Sequence, residues 1–205
     1  MNLPKKDKKG NSYLSYSQIS LFKRNKDEYY ETYIVGKPFE GNVYTDFGSK
    51  VGEALEKNDF SNFSYSEKNI LKKVTRLDEF ERRVTLRYET FYIVGYIDTN
   101  TIDLRRIIDY KTGGLKKEWE YIKPEYTQLQ LYALSIRQET GITPTRASVE
   151  FIRRAGNAYR GQELTVANES PIIIDIDISL KVLKKVYWET LETAKQIEKF
   201  YKSTL

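Results

Sequence analysis

The sequence predicts an α/β fold, a mixed central β-sheet with α-helices on both faces. Three patterns predict it. Apolar residues recur at helical spacing near both ends of the chain, Val-, Ile-, Thr- and Tyr-rich runs fill the middle from Glu79 to Lys111, and a further helical stretch and an alternating strand follow. The chain has 205 residues, 40% of them apolar and 31% charged, which suits one domain with its own core. Residues 12–205 are therefore expected to form that domain.

Taken in order, residues 1–11 carry Lys5, Lys6, Lys8 and Lys9 with Pro4 and Gly10, and read as a flexible basic arm. Ser15 stands as an N-cap before Ile19, Leu21, Phe22, Tyr29, Tyr30, Tyr33 and Ile34, so a helix is expected to run to Gly36. Lys23, Arg24 and Lys26 crowd its middle, which fits either a nucleic-acid contact or a solvated basic side. A second helix is expected from Thr45 to Asn58, with Gly48 and Gly52 one turn apart on it, leaving room for another backbone or a ligand. A short helix across Glu67–Val74 precedes two strands, Glu79–Tyr88 and Thr90–Asp98. A long helix is expected over Lys116–Glu139, restarted by Pro124 at Glu125. Residues Ala147–Arg153 alternate as a strand, with Val149 and Phe151 on one side and Glu150 and Ile152 on the other. Pro171–Ile178 reads as a further strand, and Ser179–Ser203 as an amphipathic helix.

Composition excludes much chemistry. The chain has no cysteine and no histidine, which removes disulfides, thiolate zinc sites, iron–sulfur clusters, cysteine nucleophiles and Ser-His-Asp triads. A metal would be held by oxygen, which favours magnesium or manganese. The N-terminus lacks the apolar run of a signal peptide and no stretch approaches a membrane span, so a cytoplasmic protein is expected. A net charge of +5 is compatible with a polyanionic partner.

The chemistry gathers in one stretch, Gly95-Tyr-Ile-Asp98 followed by Asp109-Tyr-Lys111. Asp109 and Lys111 lie two apart on a strand and so share a face, with Tyr110 turned the other way. Whether Asp98 meets Asp109 depends on strand bends that the pattern leaves open. Two carboxylates and an ammonium at one spot suit the holding of a hard divalent cation against a phosphate. The competing reading is a surface salt-bridge cluster at strand ends, in which each pair contributes little.

The order of these pieces resembles the PD-(D/E)XK nuclease superfamily, in its RecB-type exonuclease branch. The resemblance rests on Ser15–Gly36, Phe47–Glu56, Gly95–Asp98, Asp109–Gly113, and Gln128 with Tyr132. It implies a restriction-endonuclease-like fold and a divalent-metal-dependent deoxyribonuclease, an exonuclease without strong sequence preference, using Mg2+ or Mn2+. By resemblance Asp98, Asp109 and the Tyr110 backbone carbonyl hold metal, Lys111 is the catalytic lysine, and Gln128 and Tyr132 help place the scissile strand. Many members carry a metal-binding histidine where this chain has Gly52, and Glu53 or Glu56 is the expected substitute. Glu53 is taken first because related branches use a glutamate on this helix. Ser17, Lys23, Arg24, Lys50, Arg153 and Arg154 are the candidates for contact with DNA, single- or double-stranded. The resemblance also suggests phage, recombination or repair settings and replication or recombination proteins as partners. The alternative is a nuclease-fold DNA-binding module with weak or no cleavage, suggested by Gly52.

Overall fold

The computed structural model describes residues 1–38, 40–114, 117–123 and 126–204, except the side chain of Glu118. Among them a seven-stranded mixed sheet runs β1-β3-β4-β5-β6, with β2 also pairing β3 and β7 also pairing β5. The strands are β1 (Tyr13–Ser15), β2 (Glu79–Arg87), β3 (Tyr92–Asn100), β4 (Arg106–Gly113), β5 (Arg146–Ala155), β6 (Thr165–Val166) and β7 (Ile172–Asp175). Helices α1 (Tyr16–Arg24), α5 (Gln128–Thr140) and α6 (Leu180–Lys202) cover one face, and α3 (Val43–Lys57) and α4 (Tyr65–Leu71) the other.

Alternation along β5 explains why both faces are covered. Val149 and Phe151 are buried with Leu129, Ala133 and Ile136 of α5, whereas Ile152 is buried with Phe47, Val51 and Leu55 of α3. A strand apolar on both sides needs a helix layer on each. The parallel pairing of β4 with β5 sets Asp109 beside Val149 and Lys111 beside Phe151, so both charges face α5, and Tyr110 packs toward α3 and α4. The outer edge of β2 is closed by α5. Gln138 Oε1 accepts from Arg87 N at 2.6 Å, Gln138 Nε2 donates to Arg87 O at 2.8 Å, and Glu139 accepts from Thr85 N at 2.7 Å.

The structure corrects several expectations. The basic arm is docked: Leu3 is fully buried, Asn2 N donates to Glu198 Oε1 at 2.6 Å, and Ser12 Oγ donates to Met1 O at 2.9 Å. Asp7 makes the turn between, accepting from the amides of Lys9 and Asn11. Burial of one leucine contributes about 1.5–3 kcal/mol, enough to hold a short lysine-rich segment whose charges stay in water. The first helix breaks at Asn25, whose side chain caps α2 (Lys26–Tyr29), and ends in a π-helical turn, Tyr30–Val35, closed by Gly36 at φ 84°. Helix α3 starts earlier than expected, because Asn42 and Thr45 form a reciprocal capping box. The long helix predicted over Lys116–Glu139 is instead a 3-10 turn at Lys117–Tyr121 and α5 from Gln128; the expected restart at Pro124 and Glu125 lies outside the described residues.

Candidate active site

The site forms where β3 and β4 part. Their antiparallel pairing is limited to Thr99 with Ile108 and Asn100 with Ile107. At the next position the carboxylate of Asp98 replaces the backbone partner, Oδ2 accepting from Tyr110 N at 2.6 Å. The Tyr110 peptide therefore lies between Asp98 and Asp109, and the two acids come together. Burial and the neighbouring charge of Asp109 push the Asp98 carboxyl up to about 7.

Asp109 is fully buried. Its Oδ2 takes two donors, Lys111 Nζ at 2.6 Å and the Tyr126 hydroxyl at 2.9 Å. Its Oδ1 is buried with no hydrogen-bond partner. Burial opposes the charge on Lys111, but Asp109 and Asp98 outweigh it and hold the ammonium above the ordinary lysine range. Lys111 is thus a fixed cation at neutral pH. Its side chain keeps 27% of its surface open, onto two clefts at once.

The first cleft, of about 650 Å³, is lined by Gly48, Gly52 and Glu56 of α3, Glu81 of β2, Asp98, Lys111, Tyr121 and Arg154. Residues 48, 52 and 56 recur at one turn, so that row of α3 faces the cleft. Here the expectation for Glu53 is corrected: Glu53 is exposed and paired with Lys57 at 2.5 Å, and Glu56 is the acid of α3 on the cleft. Arg76 fixes that end of the helix, donating to the carbonyls of Leu55 and Glu56. A Cβ at Gly48 would stand 3.3 Å from Thr112 Oγ1, so helix and β4 approach there, whereas one at Gly52 would meet nothing within 4 Å. Glu81, opposite Asp98 across β2 and β3, has φ 50°, a backbone state costing a non-glycine residue about 1–2 kcal/mol. Burial, Glu56 and Asp109 raise the Glu81 carboxyl. Among the described residues no three acids stand close enough together to form a ready metal cage.

The second cleft, of about 540 Å³, is lined by Ser15, Ser17, Arg24, Tyr33, Tyr96, Gln128 and Tyr132 among others. Gln128 Nε2 donates to the Tyr132 hydroxyl at 2.8 Å, and Gln128 Oε1 lies 3.3 Å from the Tyr126 hydroxyl. A run of close polar contacts thus links Tyr132, Gln128, Tyr126 and Asp109, with the one Tyr126 hydroxyl hydrogen going to Asp109. Gly95 makes room for it, since a Cβ there would stand 2.2 Å from Tyr132 Cε1.

Of the sequence-predicted residues, Asp98, Asp109, Lys111, Gln128 and Tyr132 converge, and Ser17, Arg24 and Arg154 line the clefts. Three expected DNA contacts lie elsewhere. Lys23 borders a separate groove with Lys185 and Glu189, Lys50 lies over the Phe63 ring at 4.6 Å, and Arg153 is paired with Glu169. Lys50 and Arg153 have thus found a local aromatic and a local acidic partner. Glu79 is held by Asn100 and Arg82. Sequence reasoning missed Tyr126, Tyr121 and Tyr16, rings that pack edge-on around Asp109 and Lys111. Their signal was slight: Tyr126 stands two residues before Gln128, in a stretch read as helix.

No model of a known protein family matches the chain, and no curated protein sequence matches it. A crystal structure is similar, that of a "Putative exonuclease" from Eubacterium rectale, with a TM-score of 0.59 over 95% of this chain and 83% of that one. The two sequences are 11% identical, so what they share is the fold, a central mixed sheet flanked by helices.

Proposed function

We propose that the protein is a divalent-metal-dependent deoxyribonuclease that hydrolyses phosphodiester bonds without strong sequence preference, working from strand ends as an exonuclease. The observation that carries this reading is the orphaned Oδ1 of Asp109. A buried carboxylate oxygen without a donor costs on the order of 1–3 kcal/mol or more, and a cation between Asp98 and Asp109 removes that cost. The donor set fits a hard ion: Asp98, Asp109 and the Tyr110 carbonyl supply oxygen, and Glu56 borders the same cleft. Mg2+ or Mn2+ held there supplies the Lewis acidity for phosphodiester hydrolysis.

The chain's own groups supply the rest. Lys111, kept charged by its two acidic neighbours, donates to the phosphoryl oxygens as negative charge builds on them. Tyr126 and Lys111 hold Asp109 by Oδ2 and leave Oδ1 without a donor, so Oδ1 would be the oxygen that Asp109 offers a cation. Gln128 and Tyr132 brace Tyr126 from the second cleft and offer polar groups to a strand lying there. The fold shared with a protein named as an exonuclease supports the reading.

Labelled DNA incubated with Mg2+ or Mn2+ tests it, beside Asp109→Asn and Lys111→Ala. Loss of about 10²–10³ in rate is expected in each variant, with each still folded below a cooperative thermal transition that is lowered in Lys111→Ala. Undiminished cleavage in both would remove this site from the chemistry. A second reading, a DNA-binding module of the same fold, is favoured by the open space at Gly52. Calorimetric titration of Mn2+ separates the two, since the module binds DNA and gives no metal heat.

A further inference from the structure

The mouth of the first cleft carries a cluster of Tyr44, Arg154 and Tyr159, in which the outer ring, Tyr159, is tilted 49° to Tyr44 and open to solvent on its other side. Tyr44, in the first turn of α3, lies beneath the Arg154 guanidinium at 4.1 Å and against the Tyr159 ring at 5.5 Å. Tyr159 itself is 86% exposed. A large ring left in water is unremarkable when it dangles from a mobile loop; this one is braced. The Tyr44 hydroxyl donates to Asn157 Oδ1 at 3.3 Å, and the same oxygen accepts from Tyr159 N at 3.0 Å. Gly156 holds the turn at φ 84°, where a Cβ would stand 1.9 Å from Glu163 O. The ring is therefore presented from a turn with a defined shape. Arg154 and Tyr44 both line the cleft that contains Asp98 and Lys111, and Arg154 Nε has no hydrogen-bond partner.

We propose that Tyr159, backed by Tyr44 and Arg154, is a stacking platform for an unstacked nucleobase of a nucleic-acid strand whose phosphate lies in the first cleft. The inference rests on the reading of that cleft as a phosphodiester site. The chemistry selects the occupant. A braced phenol with a guanidinium behind it presents a π-face for a planar ring and a positive charge for the adjoining phosphate, and a base can meet that face only when it has left its own stack. Arg154 thus acts mainly by covering the Tyr44 ring on which Tyr159 leans, in addition to any role as a phosphate contact. The substrate class that follows is a strand with unpaired bases at the site of hydrolysis.

The test uses the full chain in EDTA, so that no strand is cut, and fluorescence anisotropy of two labelled probes: a short oligothymidylate and an abasic strand of equal length and charge. Stacking of one base contributes a factor of about five to a hundred in affinity. The wild-type protein is expected to prefer the base-bearing strand by a factor in that range. Tyr159→Ala abolishes the preference and leaves abasic binding unchanged, and Tyr159→Phe keeps it. A wild-type protein that does not distinguish the strands, or a Tyr159→Ala variant that weakens both alike, overturns the proposal. Hydrolysis with Mg2+ or Mn2+ is read separately. An inert protein that keeps the base preference removes the nuclease reading and leaves the platform standing, whereas Lys111-dependent hydrolysis without the preference does the reverse.

Discussion

Asp109 on β4 and Glu150 on β5 are two buried acids on neighbouring strands with opposite uses. Each is almost wholly shielded from solvent, and each has one carboxylate oxygen without a hydrogen-bond partner. Their surroundings differ. Glu150 Oε1 accepts from Thr75 N at 2.9 Å while the Tyr110 hydroxyl donates to Thr75 O at 2.6 Å, so the pair clamps both backbone polar groups of one loop residue. Among the described residues no ammonium touches Glu150, and burial raises its carboxyl despite the Thr75 bonds and the attraction of Arg106. Asp109 instead has an ammonium at 2.6 Å, a second carboxylate across one peptide, and clefts on either side of its lysine. A buried acid with an orphan oxygen is thus not in itself a site. The convergence of opposite and like charges beside an opening separates the chemical acid from the structural one.

The sharpest way to break this contrast is to remove each acid's charge. Asp109→Asn is expected to lower DNA hydrolysis by about 10²–10³, with Glu150→Gln within a factor of about two of wild type. Equal losses in steady-state rate would mean that Asp109 also acts through the fold. Removal of the Lys111 ammonium should match Asp109→Asn in rate but cost stability as well. It leaves a buried carboxylate without its cation, at about 3–5 kcal/mol, read as a lower denaturation midpoint.

The same contrast shows what the sequence could carry. Helix period and strand alternation place α3, α6 and β2 to β5 within a few residues, because burial is periodic and local. Asp98, Asp109 and Lys111 stand out because their chemistry is written in short motifs. The rest depends on long-range contact. Leu3 is one apolar residue in a basic string, and nothing near it reports that Glu198 will bond Asn2. Glu53 and Glu56 differ only in helix phase, which is fixed by the approach of Gly48 to Thr112. Tyr126 reaches Asp109 from a segment that departs from the helix expected there. Glu81 has an ordinary strand sequence and a left-handed backbone, a bend made where β3 leaves β4.

Two phenols sharpen the comparison at smaller amplitude. Tyr126→Phe keeps the ring against Tyr16 and Tyr121 but removes the hydrogen given to Asp109 Oδ2. Groups that orient a metal ligand typically contribute about 10- to 100-fold in metal affinity, so Mn2+ binding by calorimetry should weaken by that factor. Tyr110→Phe is expected to do the opposite. It loses the bond to Thr75 O, costing on the order of 1 kcal/mol of stability, and leaves Mn2+ affinity unchanged because the Tyr110 backbone stays in place.

The smallest effect concerns Glu150 and has a sign fixed by its raised carboxyl. In acid, below the ordinary carboxylate range, Glu150 is neutral in both folded and unfolded chains and imposes no charge penalty. As pH rises through that range the unfolded chain releases its proton first, so the folded state becomes progressively less favoured until the raised folded value is passed. Glutamine cannot ionise and can still accept from Thr75 N through its amide oxygen. The melting temperature of Glu150→Gln minus that of wild type should therefore climb from mildly acidic to neutral pH and then level off. For a chain of this size each kcal/mol of removed penalty corresponds to about 2–4 °C. A flat difference would mean that Glu150 ionises at the same pH in the folded and unfolded chains, and would erase the electrostatic distinction between the two acids.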